Sequence, residues 1–260
     1  MPRIDSHPAG NFCWFELGTT DQNAAKSFYA SLFGWAANDS PMGPGHEGLY
    51  TIFSIDDRAC ASAYTITPEM SQRGVPPHWL LYISTPSADD TARRARELGG
   101  NVVLEPFDVM DFGRMAVIRD PAGAVFGIWE GKSVKGTGTT GEPGTFCWGE
   151  LSTSDVRGAQ DFYSSLFGWK IAPAQANESY LHIANGAART GGMVASRCEP
   201  NARPHWSSYF LVADCDASAG RAKDLGASIL YGPETIENVG RMAFLADPQG
   251  AVFAIFQLPR

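Results

Sequence analysis

Two glutamates and two histidines stand where acid–base chemistry is possible. Glu16 lies within Phe12-Cys13-Trp14-Phe15-Glu16-Leu17 and Glu150 within Phe146-Cys147-Trp148-Gly149-Glu150-Leu151, while His78 and His205 each sit between a proline and a tryptophan. The alternation places Trp14 and Glu16 on one face of a strand, Phe15 and Leu17 on the other. A carboxylate on an otherwise apolar inward face is costly unless it is paired or protonated. Two readings follow for Glu16 and Glu150: a general base or hydroxyl acceptor whose pKa is raised by burial, or the acidic half of an ion pair with Arg114 or Arg241. His78 and His205, at strand starts, are either the partner acid–base groups or satisfied edge residues.

The candidate binding groups are Trp14, Trp148, Tyr50, Tyr180, Arg114 and Arg241. An indole facing a concave sheet offers a flat platform for an aromatic ligand, or simply fills the space. Tyr50 and Tyr180 are polar contacts in the strands that follow the first loop of each half. Arg114 and Arg241 each follow a glycine, and packing of their stems or ion pairing is the alternative to ligand contact.

These residues recur because the chain repeats itself. Asp21, Phe28-Tyr29 and Leu32-Phe33-Gly34-Trp35 return as Asp155, Phe162-Tyr163 and Leu166-Phe167-Gly168-Trp169, each 134 positions later. His78-Trp79, Gly113-Arg114-Met115-Ala116 and Asp120-Pro121 return 127 positions later, so the second copy lacks seven residues between its first helix and His205.

Within one copy, an aromatic strand precedes a helix capped at Thr20 or Asp21 and stopped by Gly34. Phe28, Tyr29, Phe33 and Trp35 read as core. Residues 38–48 read as a loop or lid from Pro41, Gly43, Pro44 and Gly45, followed by strands over 49–55 and 59–66 and an exposed connection over 68–77. The order restarts with a strand at 78–84 and a helix at 88–98. Further strands follow at 102–104, 107–110, 114–118 and 125–129, with Asp120-Pro121-Ala122-Gly123 as the last turn. The expected division is a first domain over 1–131, a Gly-rich linker over 132–144, flexible by composition, and a second domain over 145–260.

Across 260 residues the net charge is −8, with acids and bases interspersed, so nucleic acid is a poor partner. No apolar run approaches the ~20 residues that span a bilayer, and no leader is evident, so a cytoplasmic location and no membrane partner are expected. Five cysteines without CxxC spacing fit reduced thiols.

Strand, helix and three strands, twice per half, with Asp21…Phe28-Tyr29…Phe33-Gly34 early and Asp120-Pro121-x-Gly123 late, resembles the vicinal oxygen chelate superfamily of glyoxalases, bleomycin-resistance proteins and extradiol dioxygenases. The doubled Cys-Trp-x-Glu-Leu and Gly-Ala-Val-Phe pieces are similar to the tandem glyoxalase-like proteins of actinomycetes, often labelled hydroxylases. The resemblance implies an α+β fold of two tandem glyoxalase-like domains, each of paired βαβββ modules forming a curled mixed sheet. It also implies a monomer with pseudo-twofold domain pairing, or a homodimer.

Family members that use a metal hold it with His, His or Gln, and Glu. The corresponding positions here are Trp14, Leu80 and Gly127, and Trp148, Ser207 and Ala254. No cofactor is therefore expected. A divalent site shifted to Glu16 and His78 stays open but lacks an evident third ligand. The resemblance leaves two functions. One is a metal-independent lyase, isomerase or hydroxylase acting on a small aromatic or carbonyl-bearing metabolite; the other is a protein that sequesters a drug or metabolite without turnover.

Overall fold

The structure is a computed structural model and describes residues 3–43, 47–174, 177–196 and 203–259. The first strand, β1 (Phe12–Thr19), buries Phe15 and Leu17 completely on one face and turns Trp14 and Glu16 to the other. Asp21 caps α1 (Gln22–Phe33) by accepting from the Ala24 amide at 2.9 Å, and Gly34 ends it in the left-handed conformation at φ +77°.

Residues 44–46 of the stretch read as a loop or lid, with Pro44 and Gly45, lie outside the described residues; its first part, residues 38–41, belongs to an edge strand, β2 (Ala36–Pro41), all six of whose residues are exposed. Its Asn, Asp, Ser and Pro resemble loop composition because an edge strand with neither face buried needs no apolar alternation. Strands β3 (Leu49–Ile55) and β4 (Arg58–Thr65) follow, joined through Asp56 and Asp57, both at positive φ. The exposed connection contains a short helix, α2 (Pro68–Gln72), capped by Thr67. The second module is β5 (His78–Ser84), α3 (Ala88–Glu97), β6 (Asn101–Val109), β7 (Gly113–Arg119) and β8 (Val125–Gly131). The two short strands expected near residues 102 and 107 are one strand, β6, whose register shifts twice against β7.

The eight strands form one sheet in the order β2-β3-β4-β1-β5-β8-β7-β6. Two βαβββ modules meet where β1 and β5 pair antiparallel, and each module closes on itself by a parallel pair, β1 with β4 and β5 with β8. The second half repeats the plan with β9 (Phe146–Thr153), α4 (Val156–Phe167), β10 (Lys170–Ala174), β11 (Asn177–Asn185), β12 (Ala188–Ala195) and β13 (His205–Leu211). It continues through α5 (Cys215–Asp224), β14 (Ser228–Ile236), β15 (Gly240–Ala246) and β16 (Val252–Gln257), in the sheet order β10-β11-β12-β9-β13-β16-β15-β14. This is the expected α+β arrangement of tandem halves.

One continuous core serves both halves. Phe15 stacks on Phe146 with centroids 3.8 Å apart, and Phe12 packs edge-on against Trp169 and Trp206. Polar anchors cross between the halves reciprocally. The Tyr29 hydroxyl of α1 donates to Asp247 Oδ2, and the Tyr163 hydroxyl of α4 donates to Asp120 Oδ2, both at 3.0 Å. Trp79 and Trp206 donate to those same tyrosine oxygens at 3.0 and 2.9 Å, while Trp35 and Trp169 donate to the carbonyls of Gly144 and Gly10. The helix of each first module thus docks on the last turn of the other half.

Residues 132–144 differ from the flexible tether their composition suggests. The Thr137 amide donates to the Cys13 carbonyl and that of Gly138 to the Ala59 carbonyl, both at 2.8 Å; Thr137 and Thr139 are buried. Arg58 holds Glu142 by two bonds of 3.1 and 2.8 Å, and this partnership keeps the Glu142 carboxyl down at about 2. Among the described residues no helix is long and apolar enough to cross a membrane.

Candidate functional site

The face of the first sheet turned away from Phe15 and Leu17 carries a hydrogen-bonded row that begins at Glu16. On β1 it lies opposite Ser62 of β4 on one side and Leu80 of β5 on the other. Tyr50 reaches over from β3 and donates to Glu16 Oε1 at 2.6 Å; Tyr82, beside Trp14 on β5, donates to Oε2 at 2.8 Å. The Trp14 indole donates to Tyr50 Oη at 3.1 Å and to Ser62 Oγ at 2.8 Å, and Tyr50 Oη lies 2.8 Å from that Ser62 oxygen.

The second sheet repeats the row. Tyr180 donates to Glu150 Oε2 at 2.8 Å, Tyr209 to Oε1 at 2.9 Å, and Trp148 to Tyr180 Oη at 2.9 Å. Trp14, Glu16 and Tyr50 are therefore brought together, as are Trp148, Glu150 and Tyr180.

The arginines are elsewhere. Arg114 binds Asp89 at the start of α3 through two bonds of 2.7 and 2.9 Å, with Asp108 3.5 Å away, and Arg241 binds Asp216 at 2.6 and 2.7 Å and Thr235 at 2.9 Å. The ion pair weighed for Glu16 with Arg114 does not form, because β7 lies beyond β5 and β8 from β1.

His78 is opposite Gly18, two residues along the same face from Glu16, and its ring covers the glycine so closely that a β-carbon there would meet it at 2.8 Å. Its Nδ1 is 2.8 Å from the Pro76 carbonyl; a carbonyl only accepts, so Nδ1 carries a proton. His205 is held in the same way by the Arg203 carbonyl at 2.9 Å, but it is exposed, at the end of β13 opposite Ser152.

Sequence reasoning missed Tyr82, Tyr209, Ser62 and His182. The tyrosines were within reach of it: each lies four residues after its histidine in both copies, so alternation puts it on the same strand face. Ser62 has no counterpart, its place being taken by Gly192, so the repeat carried no signal.

Burial raises the pKa of Glu16, against the pull of the Tyr50 and Tyr82 hydroxyls and of the His78 charge. Its carboxylate is enclosed, and among the described residues no lysine or arginine pairs with it. A folded-state pKa above the unfolded one means that Glu16's contribution to stability is complete below about 4.5 and is lost as pH rises through the folded value. Glu16→Gln removes that dependence. Urea unfolding at half-unit steps from pH 4 to 8 is expected to show wild type losing stability relative to Glu16→Gln as pH rises; parallel curves would contradict the shifted carboxyl.

The positions matching the family's metal ligands do not fit a divalent ion. Trp14 and Leu80 supply no donor, and a β-carbon on Gly127 would overlap the ring of Tyr82, its partner across the β5–β8 pair. Tyr82 fills the space a ligating carboxylate would need. The second half has Trp148, Ser207 and Ala254 there, with Tyr209 opposite Ala254. No group of three His, Cys, Asp or Glu suited to a metal occurs among the described residues, which leaves the shifted site at Glu16 and His78 without a third ligand.

Residues 11–128 match the model of the Glyoxalase/Bleomycin resistance protein/Dioxygenase superfamily, and residues 150–256 match that of a glyoxalase-like domain. CFP32 of Mycobacterium tuberculosis, for which a glyoxylase activity has been proposed, is 36% identical over 99% of this chain and 98% of its own. The anthracycline biosynthesis protein DnrV of Streptomyces peucetius is 38% identical over 94% of this chain and 92% of its own. The Mn(II)-bound glyoxalase of Novosphingobium aromaticivorans shares the fold at a TM-score of 0.66 and 15% identity, covering 96% of this chain and 82% of that one. The 2,3-dioxygenase LapB of Pseudomonas sp. KL28 does so at 0.65 and 11%, covering 98% and 96%.

Proposed function

Because the chain belongs to the glyoxalase/bleomycin resistance protein/dioxygenase superfamily, whose members bind small molecules, we propose that its concave faces take a planar aromatic metabolite bearing carbonyl and hydroxyl groups. We further propose that it acts on this metabolite by acid–base chemistry without a resident metal. The observation that carries this reading is the Trp–Tyr–Glu–Tyr row, built twice from the same strands. Trp14 and Trp148 keep part of their surface and supply a platform beside a phenolic hydroxyl. Burial and the neighbouring carboxylate push the pKa of Tyr50 well up, and that of Tyr180 up, so each phenol stays protonated, and its single O–H becomes a donor toward a ligand oxygen when it turns from the glutamate. Glu16 and Glu150 stand behind them as proton acceptors. The similarity to an anthracycline biosynthesis protein supports a fused-ring ligand.

A second reading, binding without turnover, is favoured by a specific feature. Both oxygens of Glu16 already accept from tyrosines, so the row is complete without a substrate.

The test uses a soluble fused-ring dye, 1,2-dihydroxyanthraquinone-3-sulfonate. Tryptophan fluorescence is expected to be quenched saturably. Replacing both glutamates by glutamine is expected to weaken binding about tenfold, the loss of one charge-assisted contact of roughly 1.4 kcal/mol, while the circular dichroism spectrum is kept. Mass analysis of the recovered dye separates turnover from sequestration, and absence of saturable quenching would overturn the reading. Elemental analysis after incubation with Zn²⁺, Mn²⁺ and Fe²⁺ checks the metal-free part; stoichiometric retained metal would refute it.

A further inference from the structure

The two sheet faces that carry Glu16 and Glu150 share the Trp–Tyr–Glu–Tyr row but not the residues beside it. The row through Glu16 reads Ile52, Ser62, Glu16, Leu80 across β3, β4, β1 and β5. The row through Glu150 reads His182, Gly192, Glu150, Ser207 across β11, β12, β9 and β13. In the first, Ser62 is fully buried and its hydroxyl binds both Trp14 and Tyr50, so the serine closes the space between the indole and the phenol. In the second, no side chain is present at that point. Tyr180 has sunk onto the backbone, its Oη occupying the place a β-carbon of Gly192 would need. The phenol thus takes the space that the Ser62 side chain takes in the first half.

An imidazole stands beside Gly192, on β11. The His182 ring packs edge-on to Trp148 at 6.1 Å and to Tyr180 at 5.7 Å, the two rings that form the platform and donor of this groove. The first groove has Ile52 in its place, which can neither donate nor accept. Burial and the nearby charge of Arg189 lower the pKa of His182, which favours the neutral, accepting imidazole at neutral pH.

We infer that the two grooves have diverged, and that the second alone recognises a ligand hydroxyl, through His182 above Gly192. A hydroxylated fused-ring ligand would stack on Trp148, draw the Tyr180 hydroxyl from Glu150 to its own carbonyl and give its hydroxyl hydrogen bond to His182. The first groove, with Ile52 and Ser62, keeps the framework and lacks that acceptor. This rests on the proposed function above, since it assigns a feature of the same ligand to one of the two sites.

The experiment compares two dyes, 1,2-dihydroxyanthraquinone-3-sulfonate and anthraquinone-2-sulfonate, titrated by calorimetry and tryptophan quenching into wild type, His182→Ile and His182→Gln. One site per chain is expected to prefer the hydroxylated dye by about tenfold or more, as expected for a site built to bind a hydroxyl. His182→Ile is expected to erase that preference while leaving anthraquinone-2-sulfonate binding unchanged. His182→Gln, which retains an acceptor, is expected to restore part of it. A structural role alone would weaken both dyes together. Equal preference at two sites per chain, or a preference that survives His182→Ile, overturns the inference and leaves the proposed function standing. No saturable binding of either dye to wild type overturns both.

Discussion

Asp120→Ala is expected to lower the unfolding free energy by about 3–5 kcal/mol, and Asp247→Ala by a similar amount. Each aspartate is almost fully buried and binds in two directions. Oδ1 of Asp120 accepts the amides of Gly123 and Ala124 at 2.7 and 2.9 Å, and Oδ1 of Asp247 those of Gln249 and Ala251 at 3.0 and 2.9 Å. Oδ2 accepts a tyrosine from the opposite half. Alanine strands several buried donors at once, each worth roughly 1–3 kcal/mol when left without an acceptor. Tyr29→Phe removes only the donor side and should cost about 1 kcal/mol. The two sites share no partner, so Asp120→Ala with Asp247→Ala should be nearly additive and consume most of a typical 5–15 kcal/mol. Guanidinium denaturation gives the values. A loss below about 1 kcal/mol for either single variant would mean that water replaces the aspartate and that the crossed anchors are incidental.

Gly127→Glu places a carboxylate where metal-using relatives carry one, and the expected result is damage rather than metal binding. The added β-carbon would overlap the Tyr82 ring, so the tyrosine must leave. Its departure removes a donor from Glu16 and buries a second carboxylate beside the first. Overpacking costs about 1–3 kcal/mol and the unsatisfied acid about as much again, a total near 3–5 kcal/mol. Zn²⁺ or Mn²⁺ should not raise the melting temperature of the variant, since Trp14 and Leu80 still supply no ligand. A metal-dependent rise of several degrees would show that the cradle is intact beneath the tyrosine.

The repeat made much of this legible. Copies of Trp14, Glu16 and the Phe28-Tyr29 pair at a fixed offset revealed two halves, and strand alternation put the glutamate beside Trp14, on the face opposite Phe15 and Leu17. Its partners were another matter. A sequence can show that a buried carboxylate needs company but not which strand provides it, and Arg114 was as plausible from spacing as Tyr82. Sheet order decides, since β5 adjoins β1 while β7 does not. Residues 36–41 were hidden by the absence of an apolar face, and residues 132–144 by glycines that read as freedom although the chain uses them for close approach. Gly136, at φ +134°, leaves no room for a side chain between His7 and the Cys13 carbonyl. Asp120 and Asp247 read as turn residues, which they are; that their second oxygen reaches across the molecule depends on contacts 43 and 218 residues away in sequence.

That last separation governs how the protein is made. Helix α1 leaves the ribosome early, yet the aspartate that receives Tyr29 is 218 residues downstream. At about 5–20 residues per second the wait is on the order of 10–40 s, during which Phe28, Tyr29 and Phe33 have no final partner on the opposite half. Contacts this distant in sequence slow folding, because the chain entropy is lost before the contact forms. The first half must therefore persist as an incomplete body with an apolar helix face uncovered, the kind of surface chaperones hold. Only when the last hairpin is synthesised can either half finish folding.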